Sequence, residues 1–408
     1  MDITSQIIMI LGFSLASYSV VGNDVIQTLG TFISSNSKRK WHVLWLYIGG
    51  IFLAVATYAW FQLQGDIAYG RLDKIPFPKN YHWWLALPPV ILVVITRFGI
   101  PVSTTFLILS VFSSKNIRSM VEKSLLGYLT AFVVAIVLYM FISKRLEKYF
   151  ISTSHKYQEF TKTSSNAVFL RAFFNFLIAI GLGIVIVNLI GHYQLIEGIF
   201  GKEAYKTYRL FVLKNVVAAL VVVPVYFFLY RQGLSANNKD SEEYASNSWM
   251  IAQWISTGFL WSQWIIQDMA NIFVYLPRHG ALSALGYWLA IALLVGLLGL
   301  ILYQRGGGIQ KIVTTKTNTF DIRSATIIDF TYGIVLFIFK EYSKIPMSTT
   351  WVFVGLLAGR EIALTYQLAR GEAGSFRSVI MVVLKDLSKI FLGLVVSLLL
   401  VWLISYLK

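Results

Sequence analysis

Two strings of hydroxyl side chains recur in the chain, and each follows an aspartate at nearly the same distance. Residues 101–105 read PVSTT, and residues 346–350 read PMSTT, 346 − 101 = 245 positions later. Asp24 precedes the serine of the first string by 103 − 24 = 79 positions, and Asp268 precedes that of the second by 348 − 268 = 80. A shared spacing of this length indicates that a whole half of the chain is duplicated.

The hydroxyl strings carry the residue types that bind anions. Proline removes a backbone donor and disfavours helix in the residue before it. Each string follows a short apolar segment, so we predict a hairpin that enters the membrane and turns near its middle. Hydroxyls and free N–H groups at a helix start can hold an anion without a cationic side chain; the alternative is an ordinary helix N-cap. The candidate anion-binding side chains are Ser103, Thr104, Thr105, Ser348, Thr349 and Thr350.

Asp24 and Asp268 stand in otherwise apolar stretches. A carboxylate near the bilayer centre costs several kcal/mol unless it is paired, neutralised or bound to an ion. Amide side chains flank both aspartates, which predicts an oxygen cage for a cation such as Na⁺. The alternatives are a carboxylate that carries a proton and an ion pair with a Lys or Arg from another helix. The flanking amides are Asn23 and Gln27 in the first half, and Gln267 and Asn271 in the second.

The composition is that of a polytopic α-helical membrane protein. Of 408 residues 57% are hydrophobic and 13% charged, and the mean hydropathy is +0.67. Apolar runs of about 18–20 residues or more, the length that crosses a bilayer, lie at 125–142, 167–190, 210–229, 281–302 and 379–404. The net charge of +16 is concentrated at the ends of such runs, which predicts contact with lipid head groups rather than with nucleic acid. The location expected is the cytoplasmic (inner) membrane.

Neither metal catalysis nor a cofactor is expected. The chain has no cysteine, and its five histidines are scattered without the spacing of metal ligands. It also lacks a histidine, carboxylate and nucleophile set, which disfavours an intramembrane enzyme.

The order of segments predicts two inverted repeats. Residues 1–150 and 249–408 each contain five membrane segments, counting one interrupted hairpin, and residues 151–248 contain two connecting helices. An odd number of segments per half, joined by an even number, inverts the second half in the membrane. Arg231–Ser248 is polar and is predicted to be a solvated loop. Duplicated halves with polar groups at bilayer depth favour a transporter whose site lies at the repeat interface.

Four charged residues lie near the strings. Arg97 and Lys344 stand just before the prolines, where they could attract a dianion or mark the membrane boundary. Arg360 and Glu361 follow the second string and are predicted to lie at the end of a hairpin.

The two motifs together resemble the inorganic phosphate transporter (PiT) family. A Gly-Ala-Asn-Asp-Val-Ala-Asn type motif is similar to residues 21–27 (VGNDVIQ) and 265–271 (IIQDMAN). A Pro-Val-Ser-Thr-Thr-His type motif is similar to the two hydroxyl strings. The chain departs from the family where Phe106 and Trp351 replace the histidines, where Gln27 replaces an asparagine, and where the second motif lacks its glycine. It is therefore identified as a divergent member.

The resemblance implies a symporter of inorganic phosphate driven by Na⁺ or H⁺. The six hydroxyl residues of the strings, with Asn23 and Asn271, would then bind phosphate, and Asp24 and Asp268, aided by Gln27 and Gln267, would bind the cation. Two alternative functions stay open: a permease for sulfate or another oxyanion, and a membrane sensor or partner without transport. The assembly considered is a homodimer.

Overall fold

The computed structural model describes residues 2–98, 100, 102–142, 150, 152, 241–278, 280–307, 310–314, 321–342, 347–368 and 373–407. The chain divides into two compact units, one formed by Met1–His155 with Ala252–Lys408 and the other by Lys156–Ile251. The two connecting helices expected at 167–190 and 210–229 lie outside the described residues, as do Lys344 and both prolines of the hydroxyl strings. The domain boundaries at 150 and 248 stay a prediction.

The described residues are helical and contain no β-strand. The helices are α1 (Ile3–Val20), α2 (Ile26–Ser35), α3 (Trp41–Gln62), α4 (Leu87–Arg97), α5 (Ile117–Ile142), α6 (Ser241–Phe273), α7 (Ala284–Tyr303), α8 (Gln310–Thr314), α9 (Ile322–Tyr342), α10 (Thr349–Leu368) and α11 (Ala373–Leu407). Shorter pieces are the π-helical turns Val21–Val25 and Thr105–Leu109, the 3₁₀ turns Trp83–Ala86 and Ser114–Asn116, and the helical turn Ser110–Phe112.

Six stretches of the described chain are long and apolar enough to cross a membrane. They are Ile3–Ser35, Trp41–Gln62, Ser114–Phe141, Ala284–Tyr303, Ile322–Phe339 and Val383–Tyr406. The all-α membrane class expected from the sequence is thereby confirmed. The inverted orientation of the halves and the re-entrant hairpins stay predictions.

Three helices extend beyond the bounds that the sequence predicts. The apolar pattern predicts a first helix near residues 7–21, but the helical span continues through a π turn from Ile3 to Ser35. The solvated loop expected up to Ser248 is wrong for its last eight residues, because α6 begins at Ser241. The sequence also predicts an interrupted segment around residues 346–357, whereas the chain is a continuous helix from Thr349 to Leu368.

The duplication is visible where the second long helix of each half ends. After α3, Gln64 has φ 52° and Gly65 has φ 80°, and after α7, Arg305 has φ 54° and Gly306 has φ 85°. The Gly65 N–H donates to the Trp60 carbonyl at 3.0 Å, and the Gly306 N–H donates to the Ile301 carbonyl at the same distance. Both helices therefore end in the same left-handed cap, in which glycine avoids the steric cost of positive φ.

The closing helix of each half packs against the hydroxyl string of the other half. A Cβ added to Gly355 of α10 would lie 2.5 Å from the Tyr128 carbonyl oxygen of α5, and one added to Gly359 would lie 2.3 Å from that of Phe132. These glycines, four residues apart, allow the close backbone contact that small residues provide between membrane helices. In the other half, a Cβ on Gly393 of α11 would lie 3.2 Å from the Val102 side chain.

Candidate functional site

The first half places two π-helical turns at the predicted site. The turn Val21–Val25 interrupts the first span and carries Asn23 and Asp24, and the turn Thr105–Leu109 begins at the last threonine of the first string. A π turn inserts one extra residue into a helix and frequently marks a functional site. It redirects Asn23 and Asp24 into the core, where both are at most 2% exposed.

Asp24 is bound by the first hydroxyl string. Its Oδ2 accepts a hydrogen bond from the Thr104 hydroxyl, and its Oδ1 accepts one from Asn23 Nδ2 at 2.7 Å. The same amide nitrogen donates to the Val102 carbonyl at 2.7 Å. The predicted pairing of aspartate and hydroxyl string is thus present within the first half.

Asp268 is bound in the same way by the second string. The Thr349 hydroxyl donates to its Oδ2 at 2.5 Å, and Asn271 Nδ2 donates to its Oδ1 at 3.1 Å. Asn271 also donates to the hydroxyl oxygen of Thr104 at 2.8 Å. Because Thr104 in turn donates to Asp24, one chain of hydrogen bonds joins the two aspartates.

The last threonines of the two strings make reciprocal bonds between the halves. The Thr105 hydroxyl donates to the Met347 carbonyl, and the Thr350 hydroxyl donates to the Val102 carbonyl, both at 3.3 Å. Donors and acceptors correspond under the same shift, since 350 − 105 = 245 and 347 − 102 = 245. This is the pattern expected when a two-fold relation links two copies of one motif.

The serines of the strings act as helix caps. Ser103 Oγ accepts from the Phe106 N–H and Ser348 Oγ accepts from the Trp351 N–H, both at 3.3 Å. The N-cap alternative therefore describes these two residues, whereas the threonines bond to carboxylates and to the opposite half. The Ser348 N–H donates to Ser124 Oγ at 2.8 Å.

The predicted amide residues bring unpaired oxygens to this region. Gln267 donates from Nε2 to the Leu336 carbonyl at 2.8 Å, but its oxygen accepts no hydrogen bond from the described residues. Both amide atoms of Gln27 are buried without such a partner. All four predicted amides have a buried side-chain oxygen that accepts no hydrogen bond from the described residues: Asn23, Gln27, Gln267 and Asn271. Oxygens with unused lone pairs fit a hard monovalent cation, so this donor set is compatible with Na⁺.

The carboxylates themselves make no salt bridge with a lysine or arginine in the described part of the chain. Asp24 and Asp268 repel one another electrostatically. Arg71 is 3% exposed, donates from Nε to the Ile266 carbonyl at 3.1 Å and attracts Asp268 electrostatically. Among the described residues, hydrogen bonds rather than a direct ion pair satisfy the two aspartates.

Several functional candidates were not predicted from the sequence. Tyr332 donates its hydroxyl to the Thr349 carbonyl at 3.0 Å and interacts electrostatically with both aspartates. Arg71 follows the second long helix and belongs to neither motif, and Asp329 was not singled out, although an aspartate inside the apolar stretch 327–339 was a readable signal. A motif search passes over all three, because none belongs to the duplicated strings.

Two of the flanking charges differ from the expectation at the hairpin end. Arg360 and Glu361 lie inside α10, 0% and 6% exposed, and pair at 2.9 Å; they are core residues because α10 continues beyond them to Leu368. Arg97 is exposed in the last turn of α4, which fits a boundary charge and does not place it among the site residues.

Comparison with known proteins gives one informative match. No family model and no curated protein sequence matches the chain. A solved structure described as "The sodium-dependent phosphate transporter" matches over 100% of both chains, with a TM-score of 0.57 and 16% sequence identity. The chain is thus an integral, multi-pass α-helical membrane protein with the fold of that transporter, as the resemblance to the PiT family implied.

Proposed function

We propose that the chain is a secondary transporter that moves inorganic phosphate across the membrane together with Na⁺ or H⁺. The observation that carries this proposal is the duplicated, buried pairing of Thr104 with Asp24 and of Thr349 with Asp268, joined through Asn271. The shared fold with a sodium-dependent phosphate transporter supports it. The expected location is the cytoplasmic membrane.

The hydroxyl groups of the site suit the anion, and its carboxylate and amide oxygens suit the cation. The hydroxyls of Thr104, Thr105, Thr349 and Thr350, with Ser103 and Ser348, are donors that can turn from protein acceptors to phosphate oxygens. The carboxylates and the unpaired amide oxygens are acceptors, which suit the cation. A threonine that leaves its aspartate for phosphate frees a carboxylate oxygen at the same moment. Cation and phosphate would therefore favour each other's binding.

Charge balance gives a physical reason for coupling. Monohydrogen phosphate brings two negative charges to a buried site that already holds Asp24 and Asp268, and Arg71 offsets only part of this. Uncompensated charge at this depth is costly. Co-bound cations lower that cost, so the loaded site crosses the membrane more readily than the site with phosphate alone. Alternating access would follow from movement of the repeats around the site.

Phosphate is favoured over sulfate by one chemical difference. At neutral pH phosphate keeps a proton and can donate a hydrogen bond to an aspartate, whereas sulfate has acceptors only. A site built around two carboxylates repels sulfate without such compensation. Phe106 and Trp351 occupy the positions of the family's histidines, so sulfate or another oxyanion stays the alternative substrate.

The test is uptake of radiolabelled phosphate into proteoliposomes under an inward Na⁺ gradient, under a pH gradient and under neither. We expect gradient-driven uptake in the wild type and background uptake in Asp24→Asn and Asp268→Asn. Glu122→Gln is the matched control, because Glu122 is an exposed acid paired only with Arg118 in the adjoining turn. Absence of phosphate uptake under either gradient, from folded protein, would refute the proposal.

Two other outcomes of transport and binding measurements would identify the alternative functions. Accumulation of labelled sulfate without phosphate would identify an oxyanion permease of different specificity. Phosphate binding without flux under any gradient would identify a membrane sensor or a partner of a regulator.

A further inference from the structure

A third buried carboxylate lies outside the predicted site. Asp329 belongs to α9, inside a candidate membrane span, and is 1% exposed. Its Oδ1 accepts a hydrogen bond from the Thr31 hydroxyl of α2, and its Oδ2 accepts one from the Thr257 hydroxyl of α6 at 2.5 Å. One carboxylate therefore joins three helices through two hydroxyl groups.

No positive charge compensates this carboxylate within the described residues. It forms no salt bridge there, and the groups that face it are the two threonine hydroxyls. The nearest titratable residue along its own helix is Tyr332, one turn further on. A lone carboxylate in a membrane span is costly unless it binds a proton or a cation. Two carboxylate and two hydroxyl oxygens also form a set of hard ligands for a small cation.

Asp329 is connected to the central aspartates along two helices. On the first span, Asp24, Gln27 and Thr31 recur at spacings of three and four and so share one helix face. At 1.5 Å per residue, Asp24 and Thr31 are separated by roughly 10 Å along the axis. The amide of Gln27 lies between them, buried and without a partner among the described residues. On α9, Tyr332 reaches Thr349 of the central site.

Buried polar groups continue from Thr31 to the end of α2. Gln310 donates to Ser34 Oγ and to the Gly30 carbonyl, both at 2.8 Å. Asn36, just past the end of α2, donates to Gln253 Oε1 at 2.8 Å. Ionisable side chains inside membrane spans are rare and mark ion pathways. Asp329 contacts this series of buried polar side chains at Thr31.

We propose that Asp329, Thr31 and Thr257 form a separate binding site for a monovalent cation, Na⁺ or a proton, on the path between the end of α2 and the central aspartates. The proposal that these three residues bind a cation does not depend on which substrate the protein transports. The proposal that the site lies on a transport path rests on the proposed function.

The first experiment measures equilibrium binding of ²²Na⁺ to the purified full chain in nanodiscs, with and without phosphate. If the site takes Na⁺, Asp329→Asn binds one Na⁺ fewer per chain while phosphate still binds. If it takes a proton, the Na⁺ count is unchanged, but a pH-sensitive dye reports one proton fewer exchanged between pH 5 and 9. Unchanged Na⁺ and proton counts in a folded variant would overturn the proposal.

A second variant serves if Asp329→Asn does not fold. Thr257→Val removes one hydroxyl ligand and keeps the side-chain shape, so if the site takes Na⁺ its affinity should fall about tenfold, comparable with the loss of one hydrogen bond to a charged group. If the site takes a proton, the valine variant should hold it more tightly, because the hydroxyl no longer stabilises the ionised carboxylate. Thr257→Ser keeps the hydroxyl and should bind as the wild type. Equal affinity in the valine and serine variants would contradict the site.

Phosphate binding separates this proposal from the proposed function. If Asp329→Asn abolished phosphate binding, Asp329 would belong to the central site and the separate site would be refuted. If the wild type bound no phosphate but Asp329→Asn still lost a cation, the proposed function would fail and the cation site would stand.

Discussion

The rings of Phe106 and Trp351 meet edge to face, with centroids 5.6 Å apart and planes at 83°. The two residues are equivalent under the duplication, since 351 − 106 = 245, and each directly follows the last threonine of its hydroxyl string. They occupy the positions at which the PiT family, by resemblance, carries histidine. Two titratable residues are thus replaced by an aromatic contact between the halves.

This contact should be measurable as an energetic coupling. Edge-to-face pairs contribute about 0.5–1.5 kcal/mol beyond the area that they bury. We expect Phe106→Leu and Trp351→Leu to lower the free energy of unfolding separately, and the double variant to lower it by less than their sum, by that amount. The measurement is a double-mutant cycle of unfolding in detergent. Strict additivity would mean that the rings touch without stabilising the interface.

Thr104 should matter more than its counterpart Thr349. Thr104 donates to Asp24 and accepts from Asn271, so it links the two aspartates, whereas the Thr349 hydroxyl donates to Asp268 alone among the described carboxylates. Thr104→Val should lower the free energy of unfolding by about 1–3 kcal/mol, the cost of leaving buried polar groups unsatisfied, and Thr349→Val by less. Chemical denaturation measures both, with Thr104→Ser as the control that restores the hydroxyl. An equal cost at both positions would contradict the shared chain of hydrogen bonds.

Arg71 should set the balance between cation and anion affinity. Its charge attracts Asp268, so it competes with a cation for that carboxylate and favours an anion nearby. In Arg71→Gln we expect the Na⁺ concentration for half-maximal uptake to fall and that of phosphate to rise. Arg71→Lys keeps the charge and should shift both constants less. A rise in the Na⁺ requirement of Arg71→Gln would show that the residue acts through structure instead.

The pairing of each aspartate with a hydroxyl string was predictable from the sequence because the duplication makes it conspicuous. Asp24 and Asp268 could be paired with their strings by spacing alone, and the structure places each next to a threonine of its own string. Helix extents were less predictable: the π turn at Val21–Val25 contains no proline, so nothing in the pattern showed that the span continues to Ser35.

Side chains that act across halves could not be predicted. Arg71 bonds to the Ile266 carbonyl and Thr31 bonds to Asp329 only because distant segments pack together, and 329 − 31 = 298 positions separate the second pair. Local periodicity carries no information on such contacts. Arg360 was placed at a hairpin end because charge in apolar sequence usually marks a boundary, whereas a partner at the next position and Ser324 at 2.8 Å allow it to be buried.

The glycines of α10 should control its packing on α5. A methyl group on Gly359 would approach the Phe132 carbonyl oxygen to 2.3 Å, so Gly359→Ala must push the helices apart. We expect a loss of about 1–3 kcal/mol, as in other overpacked cores, and a lower melting temperature in detergent. Gly296→Ala on α7 is the matched control, since a Cβ there meets nothing within 4 Å. If both variants melted alike, the close contact would not be rigid.

Removal of only one partner of the pair Arg360–Glu361 should strongly destabilise the protein. Both side chains are buried, so Glu361→Ala leaves a guanidinium in the core without its carboxylate, at a cost of about 3–5 kcal/mol. The exposed pair Arg118–Glu122 joins similar charges at 2.8 Å, and there solvent screens the interaction, so Glu122→Ala should cost at most about 1 kcal/mol. Arg360→Met combined with Glu361→Leu replaces both members of the pair by apolar side chains and should recover part of the lost stability, because neither charge of the pair then stays buried. Unfolding of the three variants in the same detergent decides the matter: if Glu361→Ala cost no more than Glu122→Ala, water would reach Arg360 and the pair would not be part of the core.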